Sequence, residues 1–331
     1  MTSISVTVLT TVYNAERFLR ETVESVSVQT FQPMEHLLVD DGSTDGSLAL
    51  AYKLAEEYPR IRVIPLKKNE GRPAALNVGL REAGSELIAI LDSDDIAMPH
   101  WLERVVAVFQ EAPEAGSVGG GGVIMTENGL ITGKVKYCKK KGDVTSEVLA
   151  GHYMILHPGS VHRRSMLLKS GGYNTLLKSV EDCDMYMNVA SLARLINVGE
   201  PLIYYRRLKD SESRTNPEYA ALICDYIMKK AALLSSGKTI SEANSSLAPI
   251  VEKMTVVPRL KKLEKGAYEY EMAKAFRQGG QPLHAFRLFL AAAVARYKPF
   301  SSCGRALGCL WCRNMQHQIS LRGLEIRNTD G

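Results

Sequence analysis

In the first hundred residues, apolar β-rich runs alternate with helical patterns across short connections, and this rhythm leaves few architectures open. The runs fall at 4–11, 36–39, 61–66 and 87–91, each short and rich in branched side chains as buried strands are. Between them, 16–29 places Leu19, Val23 and Val26 on one helical face behind Asn14 as a candidate N-cap. The stretch 47–58 places Leu48, Ala51, Leu54, Ala55 and Tyr58 at helical spacing and stops at Pro59. The next, 73–83, opens on a first-turn proline and ends before Gly84. The last, 99–111, carries Leu102, Val105, Val106 and Phe109 on one stripe. Strand, helix, strand, helix in this order means an α/β fold with a central, mostly parallel sheet covered on both faces.

Beyond residue 115 the pattern loosens. Residues 118–125 and 130–135 read as a strand pair, 181–193 as a helix, and 194–198 and 202–206 as short strands. Gly119-Gly120-Gly121-Gly122 precedes strand-like residues, not a helix. From Asn216 helical signals dominate, and 267–278 with 283–297 flank Gly279-Gly280-Gln281-Pro282 as a helix hairpin. The expected organisation is therefore an α/β domain over 1–214 and a helical region over 215–331. Charge divides at the same place. Residues 1–214 carry 24 Lys and Arg against 27 Asp and Glu, a net of −3; residues 215–331 carry 17 against 9, a net of +8, and together they give +5. A basic C-terminal region suits an anionic surface, either acidic lipid or a phosphate-bearing acceptor; the plain alternative is a solvated basic face. The basic run Lys134, Lys136, Lys139, Lys140 and Lys141 reads as a solvated hairpin.

No apolar run reaches the roughly 18 residues of a membrane span. The apolar stretch 4–12 follows no basic segment and reads as a strand rather than a secretory signal. Six cysteines in 331 residues do not make a disulfide framework, which favours a reducing, cytoplasmic setting. Cys303, Cys309, Cys312 and His317 lack a second Cys-x-x-Cys pair, so thiols on a helical tail are the better reading than zinc.

In an open parallel sheet, ligands bind beyond the carboxyl ends of the strands. Three polar clusters fall there: Thr11-Val12-Tyr13-Asn14, Asp40-Asp41-Gly42-Ser43-Thr44-Asp45-Gly46, and Asp92-Ser93-Asp94-Asp95. Several carboxylates would repel a bare pyrophosphate. A hard divalent cation, Mn2+ or Mg2+, resolves that conflict by taking carboxylate and phosphate oxygens together. Asp-x-Asp can also serve turns and helix caps, so Asp92-Ser93-Asp94 gains its meaning from the Asp40-Asp41 loop on the same edge. Neither Gly-x-Gly-x-x-Gly after the first strand nor a P-loop is present, which argues against dinucleotide and P-loop chemistry.

Taken in order, Thr-x-Tyr-Asn at 11–14, Val-Asp-Asp-Gly-Ser-Thr-Asp-Gly-Ser at 39–47, Asn-x-Gly at 69–71, Leu-Asp-Ser-Asp-Asp at 91–95 and Glu181-Asp182 resemble glycosyltransferase family 2 over roughly 3–213. The resemblance implies the GT-A fold and an inverting, metal-dependent transferase of the kind that builds bacterial surface polysaccharide. Residue by residue, it implies Thr11 and Tyr13 in the nucleoside pocket and Asp41 accepting from base or ribose. Arg72 and Asn77 would meet the diphosphate or donor sugar; Lys67 and Lys68 could serve phosphate too, but read better as a solvated strand end. It implies Asp94 as metal ligand, Asp92 as second metal or donor-sugar contact, and Ser93 between them at the donor. Asp182 matches the base that deprotonates the acceptor hydroxyl, although acidic residues also suit any helix start. Tyr205-Arg206 with Ser211-x-Ser213 resembles a segment closing over the donor phosphates, where Arg206 would contact the donor. Many members carry histidine there where this chain has Leu208.

The expected partners are a nucleotide-sugar donor, with UDP-sugar favoured, a glycan or lipid-linked acceptor, and an anionic membrane face met peripherally; no nucleic-acid partner is expected. Two other readings compete. A nucleotide-sugar-binding relative without transferase activity is disfavoured by the intact Asp92, Asp94 and Asp182. A nucleotidyltransferase would want a glycine-rich basic loop near the first strand, which 11–17 does not offer.

Overall fold

A computed structural model describes residues 4–135, 140–177, 179–208 and 217–257. Its elements run β1 (Val6–Val12), α1 (Leu19–Ser27), β2 (Glu35–Asp40), α2 (Ser47–Glu57), β3 (Ile61–Pro65), α3 (Arg72–Glu82), β4 (Leu87–Ile90), β5 (Ile96–Ala97), α4 (Trp101–Glu111) and β6 (Ala115–Thr126). They continue as β7 (Ile131–Lys134), β8 (Gly142–Asp143), α5 (Thr145–Leu149), β9 (Val161–Arg163), α6 (Arg164–Lys169), α7 (Glu181–Ala190), β10 (Arg194–Arg207), α8 (Pro217–Ser235) and α9 (Ile240–Val256). The strands form one sheet in the order β3-β2-β1-β4-β9-β6-β10-β5, with β7 on β6 and β8 on β10. β3, β2, β1 and β4 run parallel, whereas β9 is antiparallel to both β4 and β6.

Period-2 alternation divides the core as the sequence pattern requires. Leu9, Leu37, Val39, Ile88 and Ile90 face Ala75, Leu76 and Leu80 of α3 together with Met185 and Val189 of α7. Their neighbours Val6, Val8, Leu87 and Ala89 face Trp101, Leu102, Val105 and Phe109 of α4. α1 and α2 close the edge through Leu19, Val23, Ala51 and Leu54 against Val12 and Leu38. The parallel sheet with helices on both faces is thus present, and its register sets the carboxyl ends of β1 and β2 level (Val12 opposite Asp40), with that of β4 on the same edge (Ile90 opposite Leu9).

Two local readings change. α1 begins at Leu19, and Asn14 is not its cap: it takes φ +50° and accepts from the Thr44 amide at 2.8 Å, joining the first two loops. The strands expected at 194–198 and 202–206 are one strand, β10, which carries Gly199 at φ +75°. The glycine run lies inside β6, as the strand expected at 118–125 requires; a Cβ on Gly120 would strike the Glu200 carbonyl and one on Gly122 would lie 2.9 Å from Leu156.

The described part of the C-terminal region is helical. α9 starts on a capping box in which Thr239 and Glu242 satisfy each other's amides. Tyr219 and Tyr226 of α8 and Leu247, Val251 and Met254 of α9 share a core with Leu177 and Val180, just ahead of α7. Met1–Val123, Lys134–Arg206 and Glu212–Leu260 form one compact unit; a second includes Ile124–Gly133, where β7 returns along the end of β6. The domain boundary near 214, Ser211-x-Ser213, the hairpin at 267–297 and the Cys303–His317 cluster lie outside the described residues, as do Lys136 and Lys139.

Candidate active site

The site begins with a glycine that only a bare backbone can occupy. Gly42 has φ +67°, and a Cβ there would lie 2.5 Å from the Lys68 carbonyl carbon, so the loops after β2 and β3 touch backbone to backbone. Beside it, buried Asp41 accepts from the amides of Glu70 at 2.8 Å and Gly71 at 2.9 Å. Gly71, at φ +94°, then turns the chain into α3, whose first residue is Arg72 and second is proline. The aspartate loop after β2 therefore fixes where Arg72 enters the crevice.

Arg72 joins two acidic groups. It donates to Asp92 Oδ1 at 2.5 Å and to Glu181 Oε1 at 2.9 Å, and it lies 2.9 Å from His157 Nδ1. Burial works against its charge, but Asp92 and Glu181 outweigh that cost and hold it firmly cationic. Burial, reinforced by Arg72, pushes the His157 pKa well down. A neutral ring receiving Arg72 at Nδ1 carries its proton on Nε2, which donates to the Tyr173 hydroxyl at 3.0 Å. Burial also lifts Glu181 to about 7, against the pull of Arg72 and with the push of Asp182.

Asp182 opens α7 beside Glu181. Its Oδ2 accepts from the Tyr153 hydroxyl at 2.6 Å and its Oδ1 from the Cys183 amide at 2.7 Å, while Tyr153 in turn receives the His157 amide at 3.2 Å. One polar chain therefore runs from Asp92 through Arg72 and His157 to the residue that holds Asp182.

After β4, Asp92, Asp94 and Asp95 gather carboxylate oxygens that all lie within 4.8 Å of one another. Burial, then the Asp92 charge, raises Asp94 to about 7; burial, then Asp94 and Asp92, raises Asp95 well above the usual range. Asp95 Oδ1 accepts from the Arg206 amide at 2.7 Å, but its buried Oδ2 has no hydrogen-bond partner among the described residues. Three crowded carboxylates with an orphaned oxygen fit a hard divalent cation.

The structure brings Arg72, Asp92, Asp94 and Asp182 into one connected region, with Ser93 half-buried between its aspartates. Thr11 is half-buried at the end of β1 and the Tyr13 ring is 48% exposed just beyond it. Lys67 and Lys68 are exposed. Two expected donor contacts are engaged elsewhere. Asn77 spends both ends of its amide on the Tyr173 backbone, at 2.7 and 2.9 Å. The Arg206 side chain is 2% exposed; it donates to the Asp94 carbonyl at 2.8 Å and to Glu21 at 2.6 Å, and lies over the Phe18 ring. As it stands, Arg206 braces the aspartate loop from within the core. Tyr153, His157 and Tyr173 went unread in the sequence, because they come from a stretch without periodicity and meet only through tertiary packing.

The family model of glycosyl transferase family 2 matches residues 7–171. Among curated proteins, an uncharacterized glycosyltransferase of Haemophilus influenzae is 29% identical over 61% of this chain and 65% of its own. The putative glycosyltransferase EpsE of Bacillus subtilis is 31% identical over 65% and 77%, and the amylovoran biosynthesis glycosyltransferase AmsE of Erwinia amylovora 28% over 61% and 76%. The chain thus matches 65% of the length of the first two such relatives. Among solved structures, Staphylococcus aureus TarS 1–349 in complex with UDP-GlcNAc superposes with a TM-score of 0.57 at 18% identity, covering 92% of this chain and 89% of that one. The mannosyltransferase PcManGT of Pyrobaculum calidifontis, in complex with GDP-Man and Mn2+, gives 0.54 at 19% identity, covering 100% and 89%. The fold is that of the GT-A glycosyltransferases.

Proposed function

Since the chain belongs to glycosyltransferase family 2, we propose that it is a metal-dependent, inverting transferase moving a sugar from a nucleoside-diphosphate sugar to a hydroxyl of a glycan or lipid-linked acceptor. The observation that carries this reading is Arg72, which ties the aspartate cluster to the Glu181-Asp182 helix start. A UDP-sugar is the favoured donor, supported by the UDP-GlcNAc complex of TarS, and surface polysaccharide the favoured product, supported by the amylovoran role in the name of AmsE.

The residues divide the work. The exposed Tyr13 ring packs on the base, Thr11 lines the nucleoside pocket, and Asp41 accepts from base or ribose while its oxygens hold the turn before Arg72. Asp94, with Asp92, would hold Mn2+ or Mg2+, a choice supported by the Mn2+ of PcManGT; when bound, the ion neutralises charge on the departing diphosphate. Arg72 and Ser93 meet the diphosphate or the donor sugar. Arg206 acts through the backbone of Asp94, and Asn77 acts through the position of Tyr173. Asp182 takes the proton of the acceptor hydroxyl as its oxygen bonds to the anomeric carbon and the bond to the diphosphate breaks. Attack from the face opposite the leaving group inverts that carbon. No helix among the described residues is long and apolar enough to cross a membrane. The +8 C-terminal region would meet an anionic cytoplasmic membrane face peripherally, where lipid-linked acceptors are presented.

The test is a panel of nucleotide sugars with Mn2+, followed by release of the nucleoside diphosphate in wild type and Asp182→Asn. The variant is expected to lose about 10²–10⁴-fold in turnover while keeping donor affinity. Unchanged turnover would remove Asp182 from its role, and donor binding without any turnover in wild type would favour a binding-only relative.

A further inference from the structure

α7 carries more than Asp182. Two residues on, Asp184 is 1% exposed and receives three side chains at once. The Tyr226 hydroxyl donates to its Oδ1 at 2.5 Å, the Lys230 ammonium donates to the same oxygen, and Asn188 donates to its Oδ2 at 3.1 Å. Lys230 is 0% exposed and donates its other bond to Asn244 Oδ1 of α9 at 3.0 Å. A buried lysine facing a buried aspartate is held tightly, because either charge alone would be stranded in the core.

α8 also approaches the turn before Tyr153. Gly151 has φ +87°, and a Cβ placed on it would lie 3.0 Å from Ile227 Cγ2 and 4.0 Å from Ala231 Cβ. That close approach seats the turn leading into Tyr153, whose hydroxyl donates to Asp182. α8 therefore touches both supports of the Asp182 carboxylate, α7 through Asp184 and the 151–153 turn through Ile227.

We propose that Lys230 is a positioning residue for the transfer reaction: through Asp184 it fixes the turn of α7 that presents Asp182, which makes α8 and α9 part of the catalytic unit. The proposal rests on the assignment of Asp182 as base. Its physical basis is the steep dependence of such reactions on geometry, since a displacement of about 1 Å at the reacting groups costs on the order of 10²-fold. Lys230 touches neither substrate nor metal in this scheme, and its effect belongs to turnover, not donor affinity.

Removing one charge of a buried pair destabilises the protein, so the informative variant removes both. Asp184→Asn/Lys230→Met removes both charges and keeps an amide at 184, so the Tyr226 hydroxyl retains its acceptor, Asn188 retains a polar partner and no charge is stranded. Four full-length proteins would be compared: wild type, Asp182→Asn, Lys230→Met and the double variant. The readouts are thermal unfolding, calorimetric binding of UDP with Mn2+, and UDP release from a mixture of UDP-glucose, UDP-galactose and UDP-GlcNAc. Lys230→Met is expected to melt lower. The double variant is expected to melt near wild type, to bind UDP within about twofold, and to release UDP at least about tenfold more slowly. A double variant with wild-type melting and wild-type release would make the pair a stability element only and overturn the proposal. Wild type without UDP release, or Asp182→Asn at the wild-type rate, would overturn the assignment of the base and this proposal with it. An active wild type, a silent Asp182→Asn and a full-rate double variant would remove the role of Lys230 alone.

Discussion

Arg72 lies 2.5 Å from Asp92, and its other nitrogen reaches Glu181 at 2.9 Å, so a single guanidinium satisfies acidic groups brought from two distant parts of the chain. Glu181 is 7% exposed and its Oε2 has no partner among the described residues, which makes it dependent on Arg72. Arg72→Met is expected to cost about 3–5 kcal/mol, the usual penalty for stranding one member of a buried pair. Arg72→Lys should recover little of it, since an ammonium cannot span both partners as a planar fork does. Arg72→Met/Glu181→Leu should regain most of the lost stability. Denaturant unfolding of the three variants decides the matter: an Arg72→Lys protein as stable as wild type would show that the fork geometry is irrelevant.

The aspartate cluster predicts opposite signs with and without metal. Asp94 is raised to about 7 by burial and by Asp92, so its folded form is protonated more readily than its unfolded form. Without a cation, that group withdraws stability as the pH rises from about 4 through 7, because the folded chain must give up a proton it prefers to keep. At pH 8 in chelator, Asp94→Asn should therefore melt at or above wild type. With Mn2+ at about a hundred times its dissociation constant, wild type should gain about 2.7 kcal/mol, and the variant should gain little. A variant that melts lower in chelator and gains as much from Mn2+ as wild type would contradict the assignment.

Tyr153→Phe removes the hydroxyl that donates to Asp182 at 2.6 Å and receives the His157 amide, while leaving the ring. The expected result is a fall of about tenfold in turnover, within the contribution of a well-placed acid–base group, with donor KM unchanged. Steady-state kinetics on the donor chosen by the panel would show it, and a change confined to KM would place Tyr153 at the donor instead.

How much of this could be read beforehand depends on how local the signal was. β1 to β4 and their helices were legible because the strands, buried on both faces, read as short continuous apolar runs and the helices as period-3.6 stripes; Leu9 and Val8 enter different cores. Asp92 and Asp94 were legible because their loop follows a strand end. Arg206 was legible as a residue of interest but not in its setting: nothing in Tyr205-Arg206 says that the guanidinium is buried over Phe18. The Asn14 turn was hidden for a related reason, since its φ of +50° answers to the Thr44 amide thirty residues on. Lys230 was hidden most completely. In sequence it belongs to an ordinary helical stretch, and only the approach of α8 to α7 gives it Asp184.

Acid should unfold the protein through its buried histidines. His36 and His162 are each pushed down to about 3 by burial, His162 between the hydroxyls of Ser117 and Ser160 and His36 beside Thr10. Unfolded histidine takes a proton near pH 6.5, whereas the folded rings resist it until about 3. Between those values the unfolded state holds more protons, so stability falls as the pH falls. Each ring contributes a loss of about 1.4 kcal/mol per pH unit across that window. Urea midpoints at pH 7 and pH 4.5 should differ strongly in wild type and less in His162→Gln. Equal pH dependence in the two proteins would show that His162 does not carry its share.

The glycine run makes a prediction about the sheet that the chemistry depends on. β6 carries Gly119, Gly120, Gly121 and Gly122 at a place where side chains from neighbouring segments reach the strand. A Cβ on Gly120 would meet the Glu200 carbonyl, which is backbone and cannot rotate away, and would lie 2.9 Å from Val198 Cγ2. A Cβ on Gly133, in β7, would meet none of the described residues within 4 Å, and its φ is not in the left-handed region. Gly120→Ala should therefore cost about 1–3 kcal/mol or more, as overpacking does, whereas Gly133→Ala should stay within about 0.5 kcal/mol of wild type. Because β10 runs on from this contact to Arg206, whose amide holds Asp95, the loss at Gly120 should extend to the metal site. Thermal unfolding with and without Mn2+ reads both effects. A Gly120→Ala protein with wild-type melting and an undiminished Mn2+ shift would show that β6 yields without disturbing the aspartate loop.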